Sequence, residues 1–475
     1  MKKRLYTLGI ALTLICSACN DWLTVQPETV IVGENLFTTN DGVKNALTGI
    51  YIDMRGTLYK PEGSFGGSKF SESMACTWQS YSGTAEYDWA NHKYDSELII
   101  EAHNAVFMRL YKLIAAANEL IAGAGKNKAS LDSEIYNVVV GEALAIRALA
   151  HLDLIRSWGP MPLNVDATRA YLPYVRTNAS GRYEYITFDK YMEFLLADLN
   201  EAETLLGASD PVVSKSFEAT ENTQSTTMWP YRKSRINYYG VLGLQARARL
   251  WMGDKEGALR YAKLVKEAKN EDGTFKLRLT NETDDFPDNT WVDGTCYSEH
   301  LCGVKCDLYN YSQGVWINMR ASIANYASDF VNVVFDGNRN DMRYKKFWVY
   351  ERTFNMTYGH VLRKYRGFYN ASKSPMNFPI IRLSEMYLII MECGSLEEAN
   401  EVYQEFCTAR SVDYVPYTET DRHERVLKEY LRELMGEGQN FFTYKRFGVK
   451  EMWFGTGDCG EAQYVLPLPE KEFLN

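Results

Sequence analysis

Four short clusters along this 475-residue chain place aromatic rings beside amides and carboxylates. They are Trp78-Gln79-Ser80-Tyr81, Glu86-Tyr87-Asp88-Trp89-Ala90-Asn91, Asp288-Asn289-Thr290-Trp291 and Asp307-Leu308-Tyr309-Asn310-Tyr311. A sugar ring presents an apolar face of axial C–H groups and a rim of equatorial hydroxyls. Aromatic planes stack on the face while amides and carboxylates bond the rim. The candidate ligand-binding residues are therefore Trp78, Gln79, Tyr81, Tyr87, Trp89, Asn91, Trp291, Tyr309 and Tyr311. Each aromatic taken singly has a second reading, in which it folds back to anchor its own loop. Taken as groups, the loops favour contact with a ligand or partner, and an aromatic content of 13% points the same way. Trp229 and Tyr231 stand just before an expected helix and Trp158 ends one, so packing is the better reading for those three.

Other chemistries find less support. Cys296, Cys302 and Cys306 cluster around His300, but their spacing matches no paired C-x-x-C zinc arrangement. One disulfide within that loop is the expectation for an exported chain, with Cys76 as a further exposed candidate and Cys393 and Cys407 as small core residues. No H-E-x-x-H, G-x-S-x-G or G-x-x-x-x-G-K-[ST] occurs, and six scattered histidines offer no paired helical spacing. Two carboxylates at glycosidase separation could hide among 61 acidic residues, yet no segment marks them. The reading is a non-enzyme without cofactor or metal. A net charge of −9, with Lys and Arg interspersed among Asp and Glu, argues against a nucleic-acid partner. Gly436-Glu437-Gly438 and Gly455-Thr456-Gly457 read as turns.

The N-terminus specifies where such chemistry operates. Lys2, Lys3 and Arg4 precede an apolar stretch from Leu5 to Ile15, and Ser17-Ala18 place small residues immediately before Cys19. This is the pattern of a bacterial lipoprotein signal over residues 1–18, with Cys19 as the lipidated residue and Cys16 departing from the usual leucine. The apolar run is far short of the roughly 20 residues that a spanning helix needs, so membrane attachment would be through the lipid alone.

Helices must position the clusters. Apolar residues recur at spacings of three and four over 104–124 and 134–158, making a hairpin that stops at Gly159-Pro160. Further hairpins are expected from 236–252 with 257–268 around Gly253-Asp254, and from 379–392 with 396–410 around Gly394-Ser395. Another helix is expected over 189–206. Ala246, Ala248, Ala258 and Ala262, and Leu388, Gly394 and Ala399, put small residues where paired helices approach. That is the habit of tetratricopeptide-like repeats, although a strict 34-residue period is absent. Residues 60–91, 270–313 and 212–230 read as long loops, and 338–369 as a segment with short strands. The fold class is thus mainly α, tetratricopeptide-like helix hairpins with long ligand-binding loop insertions and a few short strands.

The order of segments resembles the SusD/RagB family over nearly the whole length. Asp21-Trp22-Leu23-Thr24-Val25-Gln26-Pro27 and Asn40-Asp41-Gly42-Val43 onward are similar to its opening strand and first helix. Gly141-Glu142-Ala143 through Arg147 to Trp158-Gly159 is similar to its second-helix motif. Phe378-Pro379-Ile380-Ile381-Arg382-Leu383-Ser384-Glu385, then Gly436 through Gly448, then Leu466-Pro467-Leu468-Pro469-Glu470 continue the likeness. The resemblance implies a surface-exposed lipoprotein of the outer membrane. It would bind oligosaccharide or polysaccharide without covalent chemistry and deliver it to a TonB-dependent, SusC-like transporter. It also implies a tether over 19–39 and a single globular domain over 40–475, with halves of about 40–269 and 270–475. Oligopeptide uptake is the alternative, and a repeat scaffold that binds only protein is a further one.

Overall fold

The structure is a computed structural model that describes residues 36–67, 69–78, 80–221, 229–286, 294–306, 330–352, 358–365 and 377–469. Helix α1 (Asn40–Thr57) begins where Thr39 turns extended and its side chain accepts from the Gly42 N–H. Two short helices follow, α2 (Phe70–Met74) and α3 (Ala85–Ala90), inside a stretch that the sequence suggests is entirely loop. Each is a turn or two long, too short to show a 3.6-residue period.

The first hairpin is built of α4 (Glu97–Lys126) and α5 (Ser133–Trp158). Helix α4 starts seven residues earlier than its apolar periodicity suggests, because the Ser96 side chain caps it by accepting from the Leu98 N–H. From Val138 onward α5 is buried on all sides, since α4 packs on one flank and α6 (Phe188–Ser209) on another. Its charged residues are consequently paired. Arg147 donates two bonds of 2.7 Å to Asp198, and Glu142 accepts from Arg232 at 2.5 Å and from the Tyr51 hydroxyl at 2.7 Å.

The second hairpin joins α7 (Tyr238–Met252) to α8 (Lys255–Lys266) through Gly253, whose φ of 87° is the left-handed turn that glycine adopts without strain. The third joins α9 (Leu383–Cys393) to α10 (Leu396–Arg410), opened by a capping box between Ser395 and Glu398. Ala246, Ala248, Ala258, Ala262 and Ala399 are all fully buried where these helices meet. Helices α11 (Arg422–Glu433) and α12 (Asn440–Phe447) follow, and shorter helices cover Phe330–Phe335, Met342–Phe347 and Glu461–Tyr464.

Among the described residues, three small antiparallel pairs accompany the helices: β1 (Ala170–Leu172) with β2 (Ile186–Thr187), β3 (His300–Lys305) with β6 (Asn377–Arg382), and β4 (Trp348–Arg352) with β5 (Tyr358–Leu362). The β3–β6 pair corrects two expectations. Residues 379–382 are strand, and α9 begins only at Leu383; β3 lies within the stretch read as loop. The run Phe378 to Arg382 is buried at every position, so it shows neither a helical nor an alternating period. The short strands expected in 338–369 are β4 and β5. Within 212–230, short helices cover Pro211–Ser214 and Phe217–Glu221, and residues 222–228 lie outside those described.

The main apolar core runs from Val43 to Leu466. A second, smaller cluster gathers Trp78, Phe330, Phe347, Trp348, Leu362 and Met435 around the β4–β5 hairpin.

Candidate functional site

The aromatic segment 78–91 is held at both ends by its tryptophans. Trp78 is 8% exposed, its indole N–H donates to the Gly67 carbonyl oxygen at 2.9 Å, and its ring lies 6.1 Å from that of Trp348. Trp89, 6% exposed, donates to His103 Nε2 at 2.9 Å and meets Phe70 edge-on at 5.9 Å. Burial drives the His103 imidazole down to about 4, so it is a neutral acceptor for that bond at physiological pH. Both indoles are committed to the interior, which is the anchoring reading of these rings rather than the stacking one.

The residues between the anchors face outward. Tyr81 is 48% exposed. The Thr84 hydroxyl donates to the Tyr81 carbonyl at 2.7 Å and accepts from the Tyr87 N–H at 3.2 Å, which fixes the turn that separates the two tyrosines. Tyr87 is half-buried, with the Lys93 ammonium 5.2 Å from its ring centroid. Asn91 donates to the Tyr87 carbonyl at 2.7 Å, and its Oδ1 accepts from the Thr456 hydroxyl at 3.5 Å. The structure thus brings Tyr81, Tyr87 and Asn91 onto one supported segment. Gln79, Trp291, Tyr309 and Tyr311 lie outside the described residues.

Sequence reasoning missed what stands beside this segment. Thr456 reaches Asn91 from a C-terminal turn that also carries the half-buried Trp453 and Phe454, both packed against the small apolar cluster. The signal was present, since Trp453-Phe454 between polar and glycine residues meets the criterion applied to the other clusters.

Beneath the segment is a buried ionic network. Arg382 donates to Glu299 at 2.7 Å, to Glu433 at 3.0 Å and to Glu437 at 2.8 Å. Arg410 donates to Glu299 and Glu433, both at 2.7 Å, and Arg343 to Asp341 and Glu429. Lys364 pairs with Glu437. Burial alone would raise Glu433, but Arg410 and Arg382 outweigh it and hold the carboxyl well below the usual carboxylate range. Glu72 stands at the edge of this network, fully buried. It accepts from the Thr77 hydroxyl at 2.8 Å and the Gly438 N–H at 2.9 Å, and among the described residues it has no ion-pair partner. Burial pushes it up to about 7, with Glu437 adding to the shift while Thr77, Gly438 and Lys364 oppose it. At Gly438, with φ 75°, a Cβ would lie 2.4 Å from the Phe65 carbonyl oxygen, so glycine is required for this close approach.

The cysteine cluster departs from expectation. Cys296, Cys302 and Cys306 are buried free thiols, so the expected disulfide is absent, and Cys76 is buried rather than exposed. Cys302 and Cys306 sit at β3 within the main core and Cys296 belongs to the smaller cluster, so the three do not share a loop surface. His300 donates from Nε2 to the Thr295 carbonyl at 2.8 Å and accepts the Asn377 amide at Nδ1. Among the described residues, no three His, Cys, Asp or Glu side chains converge as a metal-holding group.

Residues 255–466 match the model of the SusD family. Over that stretch, just under half of its length, the chain is similar to this family. The SusD-like fold extends over most of the chain. A SusD superfamily protein from Bacteroides thetaiotaomicron VPI-5482 aligns with TM-score 0.69 at 23% identity, over 92% of this chain and 97% of that one. A SusD-like carbohydrate-binding protein from Bacteroides vulgatus ATCC 8482 aligns with TM-score 0.68 at 16% identity, over 92% and 96%. A laminarin-binding SusD-like protein aligns with TM-score 0.65 at 16% identity, over 91% and 97%. At these identities the likeness is one of fold. No curated protein matches the sequence, and none of the described helices is long and apolar enough to cross a membrane.

Proposed function

We infer that this chain captures oligosaccharide or polysaccharide at the cell surface and passes it, chemically intact, to a TonB-dependent, SusC-like transporter in the outer membrane. The observation that carries the reading is the outward pair Tyr81 and Tyr87, held with Asn91 on a segment whose two tryptophans are anchored in the interior. A backbone fixed in advance lowers the ordering cost when a sugar stacks on the rings it carries, and the adjacent amide can bond its rim. Support comes also from the carbohydrate-binding and laminarin-binding proteins that share the fold. In this reading Gln79, Trp291, Tyr309 and Tyr311 extend the contact surface and Cys19 carries the lipid.

Calorimetry of the full chain in detergent, against neutral hexasaccharides and uncharged peptides, tests the proposal. Binding of a glycan without new reducing ends, weakened roughly tenfold by Tyr81→Ala with Tyr87→Ala, is the expected result. Binding of peptides alone would replace it with oligopeptide uptake, and the release of reducing ends would replace it with catalysis.

A further inference from the structure

A groove lies away from the aromatic segment. It has a volume of about 490 Å³ and opens between the stretch 275–283 on one side and α9 and α10 on the other, and none of its lining residues belongs to 78–94. Its size falls within the range of small-molecule sites, roughly 300–1,000 Å³.

Phe275 stands in this groove with 57% of its surface exposed. An apolar ring left in water on a mobile loop would need no explanation, but this one is held. The turn before it is closed by the Asn270 N–H donating to the Thr274 carbonyl at 2.8 Å, and by Asp272 accepting from both the backbone N–H and the hydroxyl of Thr274 at 2.9 and 2.6 Å. The next residue, Lys276, donates its N–H to the Ala268 carbonyl at 2.9 Å. Five residues beyond Phe275, the same wall is clamped from inside: Thr280 donates its N–H to Glu299 at 2.8 Å and its carbonyl accepts from Arg410 at 2.7 Å. The groove wall is therefore pinned on both sides of its floor before any ligand arrives, which removes much of the ordering cost of binding.

The charges of the groove indicate what it would accept. Lys266 is paired with Glu405 at 3.0 Å, Arg278 grips Asp285 through two bonds of 2.8 and 2.9 Å, and Glu282 is met by Lys345 and Lys346 at 3.0 and 3.3 Å. Among the described residues that line it, every charged side chain is thus paired. What remains is the face of Phe275 turned away from the Lys269 ammonium, which lies 5.1 Å from the ring centroid, and the hydroxyl oxygens of exposed Thr408 and Ser411, which donate to the Gln404 carbonyl and to Glu282 and are left as acceptors. We propose that this groove is a second carbohydrate site, which takes a neutral pyranose unit on Phe275. The proposal rests on the functional reading above and adds a separate place to it, so that one long glycan, or two chains, engage the protein at both.

Saturation-transfer NMR on the full chain in detergent distinguishes the two. The probes are laminarihexaose, cellohexaose, maltohexaose, mannohexaose and an uncharged hexapeptide, each with wild type, Phe275→Ala, Phe275→Trp and the Tyr81→Ala/Tyr87→Ala double variant. Phe275 is exposed, so its replacement leaves the fold intact, and an unchanged thermal midpoint checks this. The expected result is a glycan signal that survives in the double tyrosine variant, falls roughly tenfold in apparent affinity with Phe275→Ala, and is kept by Phe275→Trp. A glycan signal indifferent to Phe275 and lost in the tyrosine variant overturns the second site and leaves the functional reading standing. A Phe275-dependent signal from the hexapeptide alone makes the groove a peptide site and overturns the assignment. Silence of every glycan with wild type removes both.

Discussion

Glu72→Gln isolates the most unusual electrostatic feature of the interior. The carboxyl has an ordinary value of 4.5 and is pushed up to about 7 in the folded chain, principally by burial. The folded protein therefore binds this proton more tightly than the unfolded chain does. The contribution to stability is fully present below pH 4.5, declines as pH rises, and is lost above about 7, where the ionised carboxylate stays buried with only a hydroxyl and an N–H to bond it. A gap of about 2.5 units at 1.36 kcal/mol each makes the ionised form cost about 3 kcal/mol. Glutamine keeps the shape, accepts from Gly438, and donates to a Thr77 hydroxyl that can rotate to receive it. At pH 8 the variant should be more stable than wild type by about 1–3 kcal/mol. With an unfolding entropy near 1 kcal/mol/K for a chain of this length, that is about 1–3 °C in thermal midpoint. Calorimetric scans of both proteins from pH 5 to 8 read the difference, in which every other titrating group cancels. The gain should vanish toward pH 5. If Glu72→Gln is destabilising by the same amount at pH 5 and pH 8, Glu72 is an ionised, stabilising carboxylate and the reasoning fails.

Three further outcomes are expected. Lys445 is fully buried and donates to the carbonyls of Arg156 and Gly159, each at 2.8 Å, so Lys445→Met should cost about 2–4 kcal/mol in chemical denaturation, where a neutral result would mean that those carbonyls find other donors. Trp89→Ala should lose about 3–5 kcal/mol of stability while Tyr81→Ala stays within about 0.5 kcal/mol, and the reverse order would contradict the division between anchoring and outward rings. Alkylation in denaturant without reductant should label all seven cysteines from Cys76 to Cys459, and a shortfall of two would restore a disulfide.

What the sequence disclosed follows from the range over which each signal acts. The turn at Gly253 and the Ser395–Glu398 capping box are local; the hairpin at Gly253 was legible with ends within about two residues, and the one at Ser395 everywhere but at its start. Residues 379–382 were misassigned because a run buried on both faces carries no period. The ionic network was invisible for the opposite reason. Arg382, Glu299 and Glu433 are ordinary charged residues in their own neighbourhoods, and only the fold brings them together. At the candidate site the alternation of aromatic and amide residues located the segment but could not say which rings face inward. That depended on partners such as His103 and Gly67, the former on a different helix.

The manner in which the C-terminal end of α5 is finished bears on the order in which the chain can mature. Its last carbonyls wait for Lys445, the Ser157 carbonyl for the Leu466 N–H, and the Trp158 indole for the Pro467 carbonyl, all supplied about 300 residues later. Loop closure over such separations is slow and exposes unfinished surface meanwhile. An N-terminal helical half emerging first during synthesis would remain open at this end until residues 445–467 had followed. A chain cut before Leu466 would then be a target for proteases rather than a shortened working protein, so that the fold itself checks whether this segment has been made.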